Sequence, residues 1–139
     1  MSRLNLHYEI DGDDFASAGE ASSDVKRVLK KLNFDSETVR RAAICMYEGE
    51  INMIIHADGG TADVCIEEDS IEIVLADTGP GISDIEKAMQ DGYSTATPEI
   101  RELGFGAGMG LPNIKRNSDS LDVVSQVGVG TTLTIRIKL

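Results

Sequence analysis

The sequence predicts a two-layer α/β sandwich, with a mixed and mostly antiparallel sheet and with helices on one of its faces. Two pairs of strand-like segments are separated by tight turns, which joins the members of each pair as an antiparallel hairpin. The last segment, 131–139, alternates apolar and polar side chains up to Leu139, so one of its faces needs burial. A long segment over 37–57 has helical spacing and many apolar residues. Helices packed on one sheet face satisfy all of these observations.

The N-terminal half supplies one strand and two helices. Residues 4–10 alternate apolar and polar side chains, which predicts a half-buried strand. Residues 15–32 follow a helical pattern, and Asp35-Ser36 has the residue types of an N-cap for a second helix over 37–57. The other faces of the first helix carry a basic cluster, which is either a solvated surface or a docking patch: Lys26, Arg27, Lys30 and Lys31.

The C-terminal half alternates strands with turns and one glycine-rich segment. Its strands are short, and Gly or Asp residues mark most of their ends. The predicted elements, in chain order, are strands over 61–67 and 71–76, a short helix over 83–90, a loop over 91–103, a helix over 111–117, and strands over 121–127 and 131–139. The whole chain, 1–139, has the length of a single domain.

Composition narrows the classes of function. The net charge is −11, which argues against nucleic acid as a partner because phosphates need a basic face. No segment approaches the roughly 20 apolar residues of a membrane span, and the N-terminus lacks the apolar core of a signal peptide. We therefore expect a cytoplasmic protein with no membrane partner. Cys45 and Cys65 lie in apolar surroundings and are expected to be reduced core thiols.

A glycine run leads into the predicted helix over 111–117. Glycines occupy every second position from Gly104 to Gly110. Such a run destabilises regular structure, but it brings bare backbone amides close to an anion, and a following helix start adds its own amides and dipole. No Gly-Lys-Ser/Thr follows, so the run is not a P-loop. It predicts a polyphosphate cradle, with a flexible loop as the alternative.

Polar residues on the long helix and after a strand form two further candidate sites. Glu48 and Asn52 are one helical turn apart on one face of a largely apolar helix, so they either satisfy each other or face a ligand cleft. Asp77 ends a predicted strand, and Gly79 and Gly81 follow it in a tight, ligand-facing turn. By itself Asp77 could equally be an ordinary turn aspartate.

Four motifs in this order resemble those of the Bergerat-fold ATPases, the superfamily of gyrase, Hsp90, sensor histidine kinases and MutL. Within it the sequence is most similar to the small anti-sigma-factor serine kinases and the stressosome switch kinase, through segments 77–92, 93–95 and 110–116. The loop over 91–103 and the glycine run are together longer here than the corresponding segment of the switch kinases. The four motifs are Glu48-x-x-x-Asn52, Asp77-x-Gly79-x-Gly81, Gly106-x-Gly108-x-Gly110-Leu111 and Gly128-x-Gly130-Thr131.

The resemblance implies a site for ATP and Mg²⁺. It assigns Glu48 as the general base, Asn52 as the Mg²⁺ ligand and Asp77 as the acceptor for the adenine amine. Segment 91–103 corresponds to the ATP lid, in which Arg101 either reaches the γ-phosphate or is solvated. The other nucleotide-binding residues implied are Gly79, Gly81, Gly106, Gly108, Gly110, Leu111 and Thr131.

The function that this resemblance implies is an ATP-dependent protein serine/threonine kinase. Its expected partner is a small regulatory protein of the STAS (anti-anti-sigma) type, with a sigma factor or another regulator as a second partner and homodimerisation left open. One alternative is a non-catalytic module that binds ATP or ADP and releases a partner. Another is the stand-alone catalytic domain of a histidine kinase, acting on a separate protein that bears the phosphoacceptor histidine.

Overall fold

The computed structural model describes residues 3–12, 18–56, 59–79 and 110–139 of the chain, with the side chains of residues 55 and 56 excepted. The predicted helix over 83–90 and the loop over 91–103 lie outside these ranges. The elements, in chain order, are β1 (Leu4–Asp11), α1 (Glu20–Lys31), α2 (Ser36–His56), β2 (Gly59–Ile66), β3 (Ser70–Asp77), α3 (Gly110–Arg116), β4 (Ser120–Gln126) and β5 (Gly130–Lys138).

The strands form one five-stranded sheet in the order β1-β2-β3-β5-β4. Each described pairing is antiparallel, so the two-layer α/β class is confirmed and the predicted mixed sheet is antiparallel throughout the described strands. Register aligns apolar side chains across the sheet: Val64 pairs with Ile73, and Ile73 with Ile135. All three are buried. Because side chains alternate along a strand, this register gives the sheet one apolar face.

The helices cover that apolar face. Val25 and Leu29 of α1, Met46 of α2 and Ile114 of α3 are fully buried in the same core as the inward strand residues. Helix α2 begins as predicted, with the Asp35 carboxylate accepting a hydrogen bond from the Thr38 backbone amide at 2.7 Å. No described helix is long and apolar enough to cross a membrane.

The start of α1 is capped from a distance by Glu50 of α2. Gly19 stands at the N-cap of α1 and offers no side chain. The Glu50 carboxyl group, only 2% exposed, accepts hydrogen bonds from the backbone amides of Ala21 at 3.4 Å and Ser22 at 3.2 Å. Amides in the first turn of a helix have no intrahelical partner, so this carboxyl group satisfies donors that would otherwise be buried and unpaired.

We expect Glu50→Ala to lower the free energy of unfolding by about 1–3 kcal/mol, because it leaves buried amides without an acceptor. Chemical denaturation monitored by circular dichroism measures this loss. Glu68→Ala is the matched control, since Glu68 is exposed in the β2–β3 turn and should change stability by less than about 0.5 kcal/mol. Equal stability of the two variants would contradict the capping role.

Two sequence predictions about burial are wrong. Cys45 is in the core, where burial raises the pKa of its thiol to about 12, but Cys65 is only partly buried and lies on β2 among residues facing away from the helices. Leu139 follows the end of β5 and is 48% exposed. In both cases strand parity and strand length, rather than apolar character, decide which side chain reaches the core.

Candidate functional site

Asp77 links the end of β3 to the start of β5. Its Oδ1 atom accepts a hydrogen bond from the Gly79 amide at 3.0 Å and another from the Thr131 amide at 3.1 Å. Thr131 is 7% exposed, and its hydroxyl forms a 2.8 Å hydrogen bond with the hydroxyl of Ser125. The two amides orient the carboxylate of Asp77 through one oxygen. The predicted neighbours Asp77, Gly79 and Thr131 are therefore brought together by the fold.

Gly130 permits this contact between β3 and β5. Its φ is 150°, and a Cβ atom there would lie 2.1 Å from the backbone oxygen of Asp77. Any side chain would therefore push the two strand ends apart. Gly130 of the predicted Gly128-x-Gly130-Thr131 motif is therefore required by packing, at the corner that holds Asp77.

The turn of α2 that carries Asn52 lies beside this corner. Met53, the next residue, is 3% exposed, and its sulfur would be 2.8 Å from a Cβ atom placed on Gly60. Gly60 in turn is the cross-strand partner of Asp77. Close packing of helix on strand at a glycine thus brings α2 against the strand end from which Asp77 projects.

Asn52 also meets the end of the glycine run. A Cβ atom on Gly110, the first residue of α3, would lie 2.9 Å from Oδ1 and 3.0 Å from Nδ2 of Asn52. The bare backbone of Gly110 therefore faces the Asn52 carboxamide, and Leu111 beside it is buried. This juxtaposition places a Mg²⁺-type oxygen donor next to the start of the predicted phosphate-binding helix.

Glu48 lies one turn before Asn52 and is half-buried. Burial raises the pKa of its carboxyl group above the ordinary value of 4.5, while a hydrogen bond with the Asn113 side chain opposes that shift. A carboxylate with a raised pKa is a better proton acceptor, as a general base requires.

The sequence assigns no role to Asn113, although it lies in segment 110–116, which carries part of the family resemblance. It follows Gly110 by three residues, which is nearly one helical turn, so Gly110 and Asn113 face the same side of α3. Glu48 and Asn52 are likewise one turn apart on α2. The two helices therefore present matched pairs: Asn52 opposite Gly110, and Glu48 opposite Asn113.

Arg41 anchors the other end of α3. Its guanidinium donates a hydrogen bond to the backbone oxygen of Asn117 at 3.1 Å and forms an ion pair with Asp119 at 3.2 Å. The pKa of Asp119 is lowered, first by a hydrogen bond from the Lys138 amide and then by Arg41. These contacts tie α2, α3 and β5 together and hold the position of Gly110 and Asn113.

The described residues fit the magnesium complex of ATP. A nucleotide site needs one group that holds the metal and phosphates and another that holds the base. The carboxamide oxygen of Asn52, beside bare backbone, suits the first, and the oriented carboxylate of Asp77 suits the second. The space between Gly110 and Asn52 is so small that a single Cβ atom on Gly110 would fill it, which leaves backbone exposed where phosphates would bind. The predicted residues Gly81, Arg101, Gly106 and Gly108 lie outside the described residues.

We expect Gly110→Ala to weaken binding of Mg-ATP about tenfold, or about 1.4 kcal/mol. The new Cβ atom would be within 3.0 Å of the Asn52 carboxamide, which must rotate away. Stability should change little, because the three atoms nearest to the new Cβ belong to the Asn52 side chain, which can rotate, and not to backbone. Calorimetric titration and thermal unfolding of the variant together measure this. Unchanged nucleotide affinity would show that Asn52 does not need its observed orientation.

Comparison with known proteins identifies one family. The family that matches residues 40–139 is described as histidine kinase-, DNA gyrase B-, and HSP90-like ATPase. The serine/threonine-protein kinase RsbT of Bacillus subtilis is 34% identical over 114 residues, which cover 78% of this chain and 78% of RsbT. An anti-sigma F factor of Thermoanaerobacter is 38% identical over 137 residues, covering 94% of this chain and 88% of that protein.

A solved structure has the same fold. The crystal structure of the RsbU and RsbW domains of Rv1364c from Mycobacterium tuberculosis superimposes with a TM-score of 0.66 at 13% sequence identity. The match covers 98% of this chain and 32% of the longer solved chain.

Proposed function

The chain belongs to the family of histidine kinase-, DNA gyrase B-, and HSP90-like ATPases, and from that premise we propose that it is an ATP-dependent protein serine/threonine kinase. Its relatives include a protein named as such a kinase and proteins named as anti-sigma factors. The proposed acceptor is a small regulatory protein of the STAS type, with a sigma factor or another regulator as a second partner.

The observation that carries this proposal is the pairing of α2 with α3. Asn52 faces the backbone of Gly110, and Glu48, one turn away, lies beside the Asn113 side chain. A module that only binds nucleotide needs a metal ligand and a cradle but has no use for a half-buried carboxyl group beside them. The presence of Glu48 at this position favours phosphoryl transfer over simple nucleotide-gated binding.

Each residue has a distinct part in the proposed reaction. When bound, Mg²⁺ neutralises charge on the phosphates. Asn52 would hold the metal through its carbonyl oxygen, and Asp77 would accept a hydrogen bond from the adenine amine. Glu48 would accept the proton of the attacking hydroxyl, whose oxygen forms the new P–O bond as the bond to ADP breaks.

The experiment has two steps. Calorimetric titration of the protein with ATP, with and without Mg²⁺, should show Mg²⁺-dependent binding. Incubation with γ-labelled ATP and the STAS-domain proteins of the source organism should then give an acid-stable phosphoserine or phosphothreonine product. Binding without any labelled product would instead favour a nucleotide-gated binding module, and an acid-labile product would favour a histidine kinase domain.

A further inference from the structure

A groove runs along the outer side of the α1–α2 hairpin. It encloses about 760 Å³. Its floor is apolar and is formed by Phe34, Val39, Ala43 and Ile44, with Tyr47 beside them. Tyr47 is 40% exposed, so a large aromatic side chain faces solvent here. From Ser36 to Glu48 the groove follows roughly 18 Å of helix.

The rim of this groove is basic. Lys26 and Lys30 line it from α1 and Arg40 lines it from α2. Arg40 pairs with Glu37, whereas Lys26 and Lys30 have no ion-pair partner among the described residues. In a chain with a net charge of −11, a strip of cations above an apolar floor is a local reversal of the overall charge. Such a strip is complementary to an acidic partner.

One end of the groove reaches the candidate catalytic residue. Glu48 is among the lining residues, at the end opposite Phe34. The same carboxyl group contacts Asn113 of α3, on the side where Asn52 meets Gly110. A segment lying in the groove would therefore lead from the α1–α2 loop toward Glu48.

We propose that this groove binds an acidic, amphipathic segment of the acceptor protein and directs that protein toward Glu48. The apolar floor takes the apolar side chains of the segment, and Lys26 and Lys30 pair with its carboxylates. This inference rests on the proposed kinase function for the identity of the partner. It assigns a role to Lys26 and Lys30 of the basic cluster of α1, which the nucleotide site does not use.

The test measures peptide binding separately from catalysis. The probe is a fluorescein-labelled peptide of about 12 residues, roughly 18 Å as a helix, with Asp and Glu on one face, Leu and Phe on the other and one Ser. Fluorescence anisotropy should show binding to the wild-type protein. The double variant Lys26→Glu/Lys30→Glu should weaken that binding at least about tenfold. A peptide with Lys in place of Asp and Glu should bind more weakly to the wild type.

The matched control is Arg3→Glu/Lys31→Glu, which makes the same change in net charge at exposed positions outside the groove. It should bind the acidic peptide like the wild type. The proposal is overturned if the acidic peptide does not bind, or if both double variants weaken its binding equally. It is also overturned if the basic peptide binds the wild type as tightly as the acidic peptide does. Self-association of the wild type that Lys26→Glu/Lys30→Glu abolishes would also overturn it, since a second copy would then be the occupant.

Phosphorylation of the acceptor by the same variants, with γ-labelled ATP, separates this inference from the kinase proposal. If the peptide binds with the expected charge dependence and no acceptor is phosphorylated, the docking surface stands and the kinase function fails. If an acceptor is phosphorylated equally well by the wild type and by Lys26→Glu/Lys30→Glu, the kinase function stands and the docking surface fails.

Discussion

Glu48→Gln is expected to lower the rate of phosphoryl transfer by about 10²–10⁴-fold, the range that a positioned general base contributes. Glutamine keeps the shape of the side chain and can still hydrogen-bond with Asn113, but it cannot accept a proton. Affinity for Mg-ATP should therefore stay close to that of the wild type. Single-turnover transfer from γ-labelled ATP, with calorimetry alongside, measures both quantities.

The control for this variant is Glu68→Gln, which removes a carboxyl group at an exposed position in the β2–β3 turn. It should transfer phosphate at the wild-type rate. If Glu48→Gln also retained the wild-type rate, Glu48 would not be the base, and its half-buried position would be explained by packing against α3 alone.

The same residue predicts how the rate depends on pH. Burial raises the pKa of Glu48, and only the deprotonated carboxylate can act as a base. The rate should therefore fall as the pH drops through that raised pKa, at a higher pH than an exposed glutamate would give. A profile of single-turnover rate against pH measures the midpoint, and in Glu48→Gln this acid limb should disappear from the residual activity.

Asn52→Ala is expected to remove the Mg²⁺-dependent part of ATP binding. We expect a loss of about a hundredfold in affinity in the presence of Mg²⁺, or about 2.7 kcal/mol. The truncation removes the oxygen donor that faces Gly110, and the alanine side chain has no oxygen to replace it. Titration of the variant with ATP, with and without Mg²⁺, measures the loss.

Asn5→Ala is the matched control, because Asn5 is exposed on β1 and truncation there removes the same chemical group. It should bind Mg-ATP like the wild type. An Asn52→Ala protein that still bound ATP more tightly with Mg²⁺ than without it would show that the metal is held elsewhere. Glu48→Gln and Asn52→Ala together thus separate turnover from nucleotide binding on one face of α2.

Most local elements follow from the sequence with small errors at their ends, but the first helix, predicted from residue 15, begins at Glu20. Alternation along 4–10 and 131–139, helical spacing over 37–57 and the cap at Asp35 each depend on neighbours in the chain. The structure places the corresponding strands and helix within one or two residues of those limits. The family could also be recognised, because its motifs are short and keep their order along the chain.

Contacts between distant residues were decided only by the tertiary structure. Asp77 accepts the amide of Thr131, 54 positions away, and Glu50 caps a helix that begins about thirty positions before it. Neither contact leaves a local pattern: Glu50 is simply a polar residue on an apolar helix. Glu50 can act as a cap only when α1 packs against the side of α2 on which Glu50 lies.

For the described residues, the sequence by itself therefore determined which segments are strands and helices, which face of most of them is apolar, and which residue types could bind a nucleotide. The tertiary structure decided which of those residues meet. It set Asn52 against Gly110, placed Glu48 beside Asn113, and left a basic groove next to them. The physical reason is that periodicity and capping act over a few residues, whereas register and helix packing are settled by the burial of a whole apolar face.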